Sequence, residues 1–330
     1  MTNTYKIAEN TDKILIHGRP YFTDGNLGLH WTASGVEMIF SGSRISFFFS
    51  EVKADQAVYL SLTLDGVCSK HAVSTGRECV MTQQVTDGVH RVSLLRLNSD
   101  GAGILPVSHV EIEGERALLL PAPCELARKI EFYGDSITCG YGNLGYSGPG
   151  FLAHRSDGTQ TYAYLACKML NAEGRFMGYS GQGICHSWGG DVGVTFGDFY
   201  SRITRDSTEK WDFSRWTPEI VVINGGTNDS HGGTSDEDFY TSGKQLVTNL
   251  RTAYPHAHII WLYGMMGGGF ASVIQSIMQD MGGSEKGFYC LFTTAHYEHE
   301  GESGGNGHPG IKCHRRVAHE LAEFINGISK

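Results

Sequence analysis

The sequence predicts two domains of different class: an antiparallel, jelly-roll-like β-sandwich over residues 1–120 and an α/β domain over residues 125–330. Three observations predict this. The first third carries short runs in which apolar and polar residues alternate, with no stretch of helical period before about residue 120. From about residue 129 onward, strand-like apolar runs alternate with helical ones. Between the two regimes lies Leu120-Pro121-Ala122-Pro123, whose prolines favour an extended connection.

In the first region Val36, Met38 and Phe40 alternate along one strand. A Ser41-Gly42-Ser43 turn separates them from a second strand with Ile45, Phe47 and Phe49. Val58, Leu60, Leu62 and Leu64 follow and end at the hairpin dipeptide Asp65-Gly66. A second pair, Asp87-Gly88, precedes a strand from Val92 to Leu97, and Val110 with Ile112 mark the last. Short strands joined by Gly-rich turns argue for a sandwich. In the second region the strands are Lys129 to Tyr133, Arg175 to Met177, Ile220 to Asn224, Ile259 to Tyr263 and Phe288 to Phe292. Helices fall at Tyr162 to Leu170, Phe239 to Ala253, the stripe Ile274, Ile277, Met278 and Met281, and the C-terminal face of Val317, Leu321, Phe324, Ile325 and Ile328. This alternation predicts a parallel sheet with helices on both faces, so the site belongs at the carboxyl ends of the strands.

Composition excludes several classes. A chain of 330 residues suits two domains, and 40% hydrophobic with 18% charged residues is incompatible with disorder. The 44 glycines follow no repeat, which excludes collagen. Lys and Arg total 26 against 35 Asp and Glu, a net charge of −9 without a basic block, so neither nucleic acid nor an anionic membrane is an expected partner. No apolar run approaches the ~20 residues that span a bilayer. Met1 to Asn10 is polar and lacks a secretory apolar stretch, giving a cytoplasmic expectation. The eight cysteines form no CxxC pair, and free thiols are expected. No sequence pattern specifies an oligomeric state.

Four short segments carry chemistry. Gly134-Asp135-Ser136 follows the strand ending at Tyr133. A serine there is placed to be a nucleophile whose own N–H joins an oxyanion hole, although the tripeptide also reads as an ordinary turn. Ser180-Gly181-Gln182-Gly183 follows the next strand, and Gly181 lets a backbone N–H approach a ligand. Gly226-Thr227-Asn228-Asp229 follows Ile220 to Asn224; the Asn228 amide suits an oxyanion donor, and equally a helix cap. His308-Pro309-Gly310 precedes the last helix and offers His308, one of fifteen histidines, as a general base for Ser136.

In their order and strand-end placement, these blocks resemble the SGNH (GDSL-type) hydrolases over roughly residues 125–330. The resemblance implies a three-layer α/β/α fold, Ser136 as nucleophile and His308 as base. It also implies an oxyanion hole of Ser136 N–H, Gly181 N–H and Asn228. Family members carry an aspartate three residues before the histidine, where this chain has Gly305. Orientation of His308 then falls to a backbone carbonyl or to Glu298, Glu300 or Glu302. With the sandwich in front, with Gly18-Arg19, and with Val221 through Asp229, the chain is similar to carbohydrate esterase family 2, some members of which use a Ser–His dyad. That similarity implies an esterase removing acetyl groups from xylo- or manno-oligosaccharides, with no cofactor and no metal. Trp188 and Tyr141 are candidate sugar contacts, while core packing is the bland reading of Trp188 and of Met265 and Met266.

Other patterns point elsewhere. Gly140 to Gly145 matches GxGxxG, but its first glycine comes seven residues after Tyr133, too late for a dinucleotide turn. Gly301 to Gly305 matches GxSxG without a preceding apolar strand, so Ser303 is not expected to be a nucleophile. His296 and His299 lack a third placed ligand, and a solvated loop is expected there. Two other function classes fit the same blocks: a carbohydrate-binding protein that has lost turnover, and an acyltransferase or thioesterase on the same fold. Exposure of Trp31 would bear on whether the sandwich lines a groove.

Overall fold

In the computed structural model the alternating positions Val36, Met38, Phe40, Ile45, Phe47 and Phe49 lie on one strand, Gly35–Phe49, and all six side chains are buried. The structure describes every residue except 55, 100–102, 147–151 and 329–330. The chain divides into two units, Met1–Glu125 and Leu126–Lys330.

The first unit is a ten-stranded antiparallel sheet that curls around a core containing those residues together with Leu60, Leu62, Val92, Leu94, Val110 and Ile112. Asp65-Gly66 joins Val58–Leu64 to Val67–Val73, and both residues have the positive φ of a two-residue hairpin turn, 49° and 82°. Two sequence expectations are corrected here. Ser41-Gly42-Ser43 is not a turn, and Asp87-Gly88 does not precede a new strand: Gly35–Phe49 and Cys79–Arg96 run unbroken through them. Gly42 pairs with Gly88, and the register slips between Gly42 and Arg44. The glycines mark a bulge that bends both long strands. Trp31 is buried at 1% exposure, so it does not line an open surface.

The second unit holds a five-stranded parallel sheet in the order Ala172–Gly178, Arg128–Gly134, Ile220–Asn224, His258–Tyr263, Phe288–Phe292. Every residue of the middle strand is buried, as a sheet covered on both faces requires. Tyr162–Leu170 packs against Ile311–Ile328, and Asp236–Ala253 packs against Ala271–Asp280. Thr161 caps the first of these helices by accepting from Tyr164 N–H at 3.3 Å, and Ser235 caps Asp236–Ala253 through Asp238 N–H at 3.1 Å. The described cysteines form no disulfide. Among the described residues, no helix is long and apolar enough to cross a membrane.

Phe47 is fully buried at the centre of the curled sheet. Phe47→Ala is expected to lower the first unit's stability by about 3–5 kcal/mol, read from the shift in urea midpoint; a loss below about 1 kcal/mol would contradict this packing.

Candidate active site

Three of the four segments leave the parallel sheet at one edge. Gly134 lies opposite Gly178 on one neighbour and Asn224 on the other. The strand Arg128–Gly134 is the point where chain order reverses, the place at which sheets of this kind open a crevice.

The segment bearing Ser136 is built tightly. A Cβ on Gly134 would fall 1.9 Å from Thr138 Oγ1, so only glycine lets the strand turn directly into the one-turn helix Ser136–Cys139. Asp135 is fully buried and caps that helix by accepting from Ile137 N–H at 2.9 Å. Thr138 Oγ1 lies 2.9 Å from the Tyr162 hydroxyl and anchors the turn from below. Ser136 is 4% exposed, and as the first residue of a helix its N–H has no partner within the helix.

His308 Nε2 lies 2.9 Å from Ser136 Oγ, and His308 Nδ1 lies 2.9 Å from the backbone carbonyl of Asn306. A carbonyl only accepts, so Nδ1 carries the proton and Nε2 is left to accept from the serine hydroxyl. Burial pushes the His308 pKa down, and so does the charge of nearby His296 when protonated; the Asn306 carbonyl acts in the opposite sense. Among the described residues, no carboxylate bonds to this imidazole. Glu298 accepts from Ala295 N–H at 3.2 Å. Glu302 is held by Arg316 at 2.7 Å, which draws its pKa down. Of the orienting groups considered from sequence, the structure places the backbone carbonyl against His308.

Asn228 ties the remaining segments together. Its Nδ2 donates to Gln182 O at 2.8 Å and contacts Asp135 Oδ2 at 3.3 Å, linking the residue after Gly181 to the residue before Ser136. Asp229, fully buried, accepts from the N–H groups of Ile184, Cys185 and His186 at 2.7–2.9 Å. Burial raises its pKa against those three donors. The carboxylate thereby fixes the loop that carries Gly181. Among the described residues, the N–H groups of Ser136 and Gly181 have no backbone acceptor. The arrangement thus offers a hydroxyl beside a base, with further N–H groups on the loops that leave the neighbouring strand ends, which suits acyl transfer.

Trp188 is 63% exposed and is tied to Gly181 through its N–H at 2.7 Å, with its ring 5.0 Å from His231. The Tyr141 ring sits 4.5 Å from the His308 imidazole. Met265 is buried at 1% exposure against Asn224. The GxGxxG run wraps the histidine loop: Gly142 O accepts from Gly305 N–H at 2.8 Å. Ser303 contacts His296 Nδ1 at 3.0 Å, but a 3-10 helix, His296–Glu298, stands where a nucleophile elbow needs its strand. His299 engages Thr294 at 2.7 Å. Sequence reasoning missed Asn306, which contributes a main-chain atom. It also missed the loop-holding work of Asp229, whose partners are main-chain N–H groups that no sequence signal marks.

Residues 132–286 match the GDSL-like lipase/acylhydrolase family, and residues 16–123 match the carbohydrate esterase 2 N-terminal family. The chain is 31% identical over 329 residues to the cellulase/esterase CelE of Acetivibrio thermocellus, across 96% of this chain and 40% of that protein, so it spans about two-fifths of that relative's length. It is 25% identical over 344 residues to an acetylxylan esterase / glucomannan deacetylase of Cellvibrio japonicus, across 99% of this chain and 92% of that one. A solved family two carbohydrate esterase from Clostridium thermocellum, in complex with cellohexaose, superposes with a TM-score of 0.87 at 29% identity, covering 95% of this chain and 98% of that one.

The lowered His308 pKa sets a pH dependence. The neutral imidazole is the form that takes the Ser136 proton, so reactivity is lost as pH falls through that pKa. The rate of Ser136 modification by a p-nitrophenyl phosphonate is expected to show an acid limb centred below about 6.5; a limb centred above that value would contradict the burial argument.

Proposed function

We propose, for a chain that is a GDSL-type hydrolase resembling the family 2 carbohydrate esterases, that it is a carbohydrate O-acetyl esterase acting on xylo- or manno-oligosaccharides derived from hemicellulose. The observation that carries the proposal is the contact of Ser136 Oγ with His308 Nε2 at 2.9 Å. The names of the relatives, an acetylxylan esterase / glucomannan deacetylase among them, support the substrate class.

In this reading Ser136 Oγ attacks the acetyl carbonyl carbon while His308 Nε2 takes its proton. The carbonyl oxygen becomes an oxyanion among Ser136 N–H, Gly181 N–H and Asn228 Nδ2. Asn228 Nδ2 lies 3.3 Å from Asp135 Oδ2 and 2.8 Å from Gln182 O, and a small shift of the amide gives up the longer of these contacts to donate to the oxyanion. The imidazolium gives its proton to the departing sugar oxygen as the C–O bond breaks, releasing the sugar hydroxyl and leaving an acetyl ester on Ser136. Water then attacks that ester with His308 again as base, and acetate leaves. Throughout, Nδ1–H points at the Asn306 carbonyl, which fixes the ring but stabilises imidazolium less than a carboxylate does. A Ser–His dyad is sufficient in this scheme. Trp188, exposed beside the Gly181 loop, stacks on a sugar ring, and Tyr141 lines the site next to His308.

Acetate release from acetylated xylo- and manno-oligosaccharides tests this directly. Wild type should release acetate, Ser136→Ala should not, and Asn228→Ala should be slowed by about 10²–10³-fold in kcat. Binding of the oligosaccharide by wild type without acetate release would overturn the esterase reading in favour of a sugar-binding protein.

A further inference from the structure

The carbonyl that faces His308 belongs to a residue in an uncommon conformation. Asn306 has φ 51° and ψ 42°, the left-handed region, inside the short turn Gly305–Gly307. Most side chains resist that region; asparagine and aspartate tolerate it best after glycine. The direction of the Asn306 carbonyl is set by ψ of this residue, so whatever pins Asn306 also aims the acceptor at His308 Nδ1.

Asn306 is pinned by its side chain. Its Nδ2 donates to the Tyr141 hydroxyl at 3.2 Å. Tyr141 is itself fixed at both ends: its N–H donates to Ser136 O at 3.0 Å, and its ring rests 4.5 Å from the His308 imidazole at 40°. A closed circuit results, from Ser136 through the backbone to Tyr141, through the phenol to Asn306, through the Asn306 carbonyl to His308, and back to Ser136 Oγ. The flanking residues are held by backbone bonds, Gly305 N–H to Gly142 O at 2.8 Å and Gly304 N–H to His308 O at 2.7 Å. A third backbone bond, His308 N–H to Gly305 O at 3.2 Å, closes the turn across Asn306, and the side-chain clamp reinforces it.

We propose that Asn306 and Tyr141 are positioning residues: the Asn306 side chain, clamped by the Tyr141 hydroxyl, holds the left-handed turn whose carbonyl does the orienting work of the missing triad carboxylate. The inference rests on the esterase reading for its substrate, and on the Ser136–His308 pair alone for its geometry.

Tyr141→Phe, Asn306→Gly, the double variant and Asn306→Asp are compared with wild type, each confirmed folded by its thermal unfolding transition. Turnover of p-nitrophenyl acetate and the rate of Ser136 modification by a p-nitrophenyl phosphonate are both measured. Tyr141→Phe keeps the ring and Asn306→Gly keeps access to positive φ, so each removes the clamp while leaving the ring contact and the turn conformation available. Each single variant should lower kcat and the phosphonylation rate about tenfold, with KM within about twofold of wild type. The double variant should lose no more than the worse single, because both break one circuit. Asn306→Asp, which accepts from the phenol and tolerates the same turn, should recover most of the loss. Single variants within twofold of wild type, losses that multiply in the double, or an effect confined to KM would each overturn the inference. A wild type that is phosphonylated but releases no acetate would remove the esterase reading alone, and the phosphonylation rates would still decide this one.

Discussion

The site depends on one hydrogen bond, from His308 Nδ1 to the main-chain carbonyl of Asn306. That bond decides which imidazole nitrogen carries the proton, and therefore whether Ser136 faces an acceptor or a donor. It also sets the electrostatics. A carbonyl supplies a dipole where a carboxylate would supply a charge, so the group beside Nδ1 only partly offsets the burial that lowers the His308 pKa. His314, stacked on Tyr162 and accepting its N–H at 3.1 Å, is held neutral by burial with its pKa near 3, so no permanent cation stands behind the base. The outcome is an imidazole that stays neutral to lower pH than a free histidine does.

At Gly305, where the sequence resemblance implies an acid, a Cβ would stand 3.3 Å from Gly142 O, the carbonyl that accepts the Gly305 N–H at 2.8 Å. The loop's other end is secured by Glu302, which receives the Arg316 guanidinium through both carboxylate oxygens at 2.7–3.2 Å. The carboxylate nearest in sequence to the missing acid thus holds the loop and leaves the imidazole to the main chain.

Side-chain identities at strand ends were readable without a structure. Ser136, Gly181 and Asn228 each follow an apolar run, and the α/β alternation already directs attention to those positions. His308 was readable through its proline and the helix that follows. Asn306 was not, because its contribution is a carbonyl that every residue possesses; only the left-handed turn singles it out, and that is a property of the fold. In the first unit, inward alternation from Val36 to Phe49 was legible, but the link between its halves was misread. A Ser-Gly-Ser tripeptide has the same composition in a turn and in a bulge, and the choice was made by pairing with Gly88 on a strand distant in sequence. The half of that strand before Asp87 went unread because it is polar and largely exposed on alternate residues.

The most direct test is the tautomer of His308 in the resting protein, read from two-bond ¹⁵N–¹H correlations of histidine-labelled material and assigned with a His308→Gln variant. The account predicts the proton on Nδ1 and an unprotonated Nε2 at neutral pH. A proton on Nε2 would contradict it, since the imidazole would then turn a donor toward Ser136 and the Asn306 carbonyl would not be what orients the base.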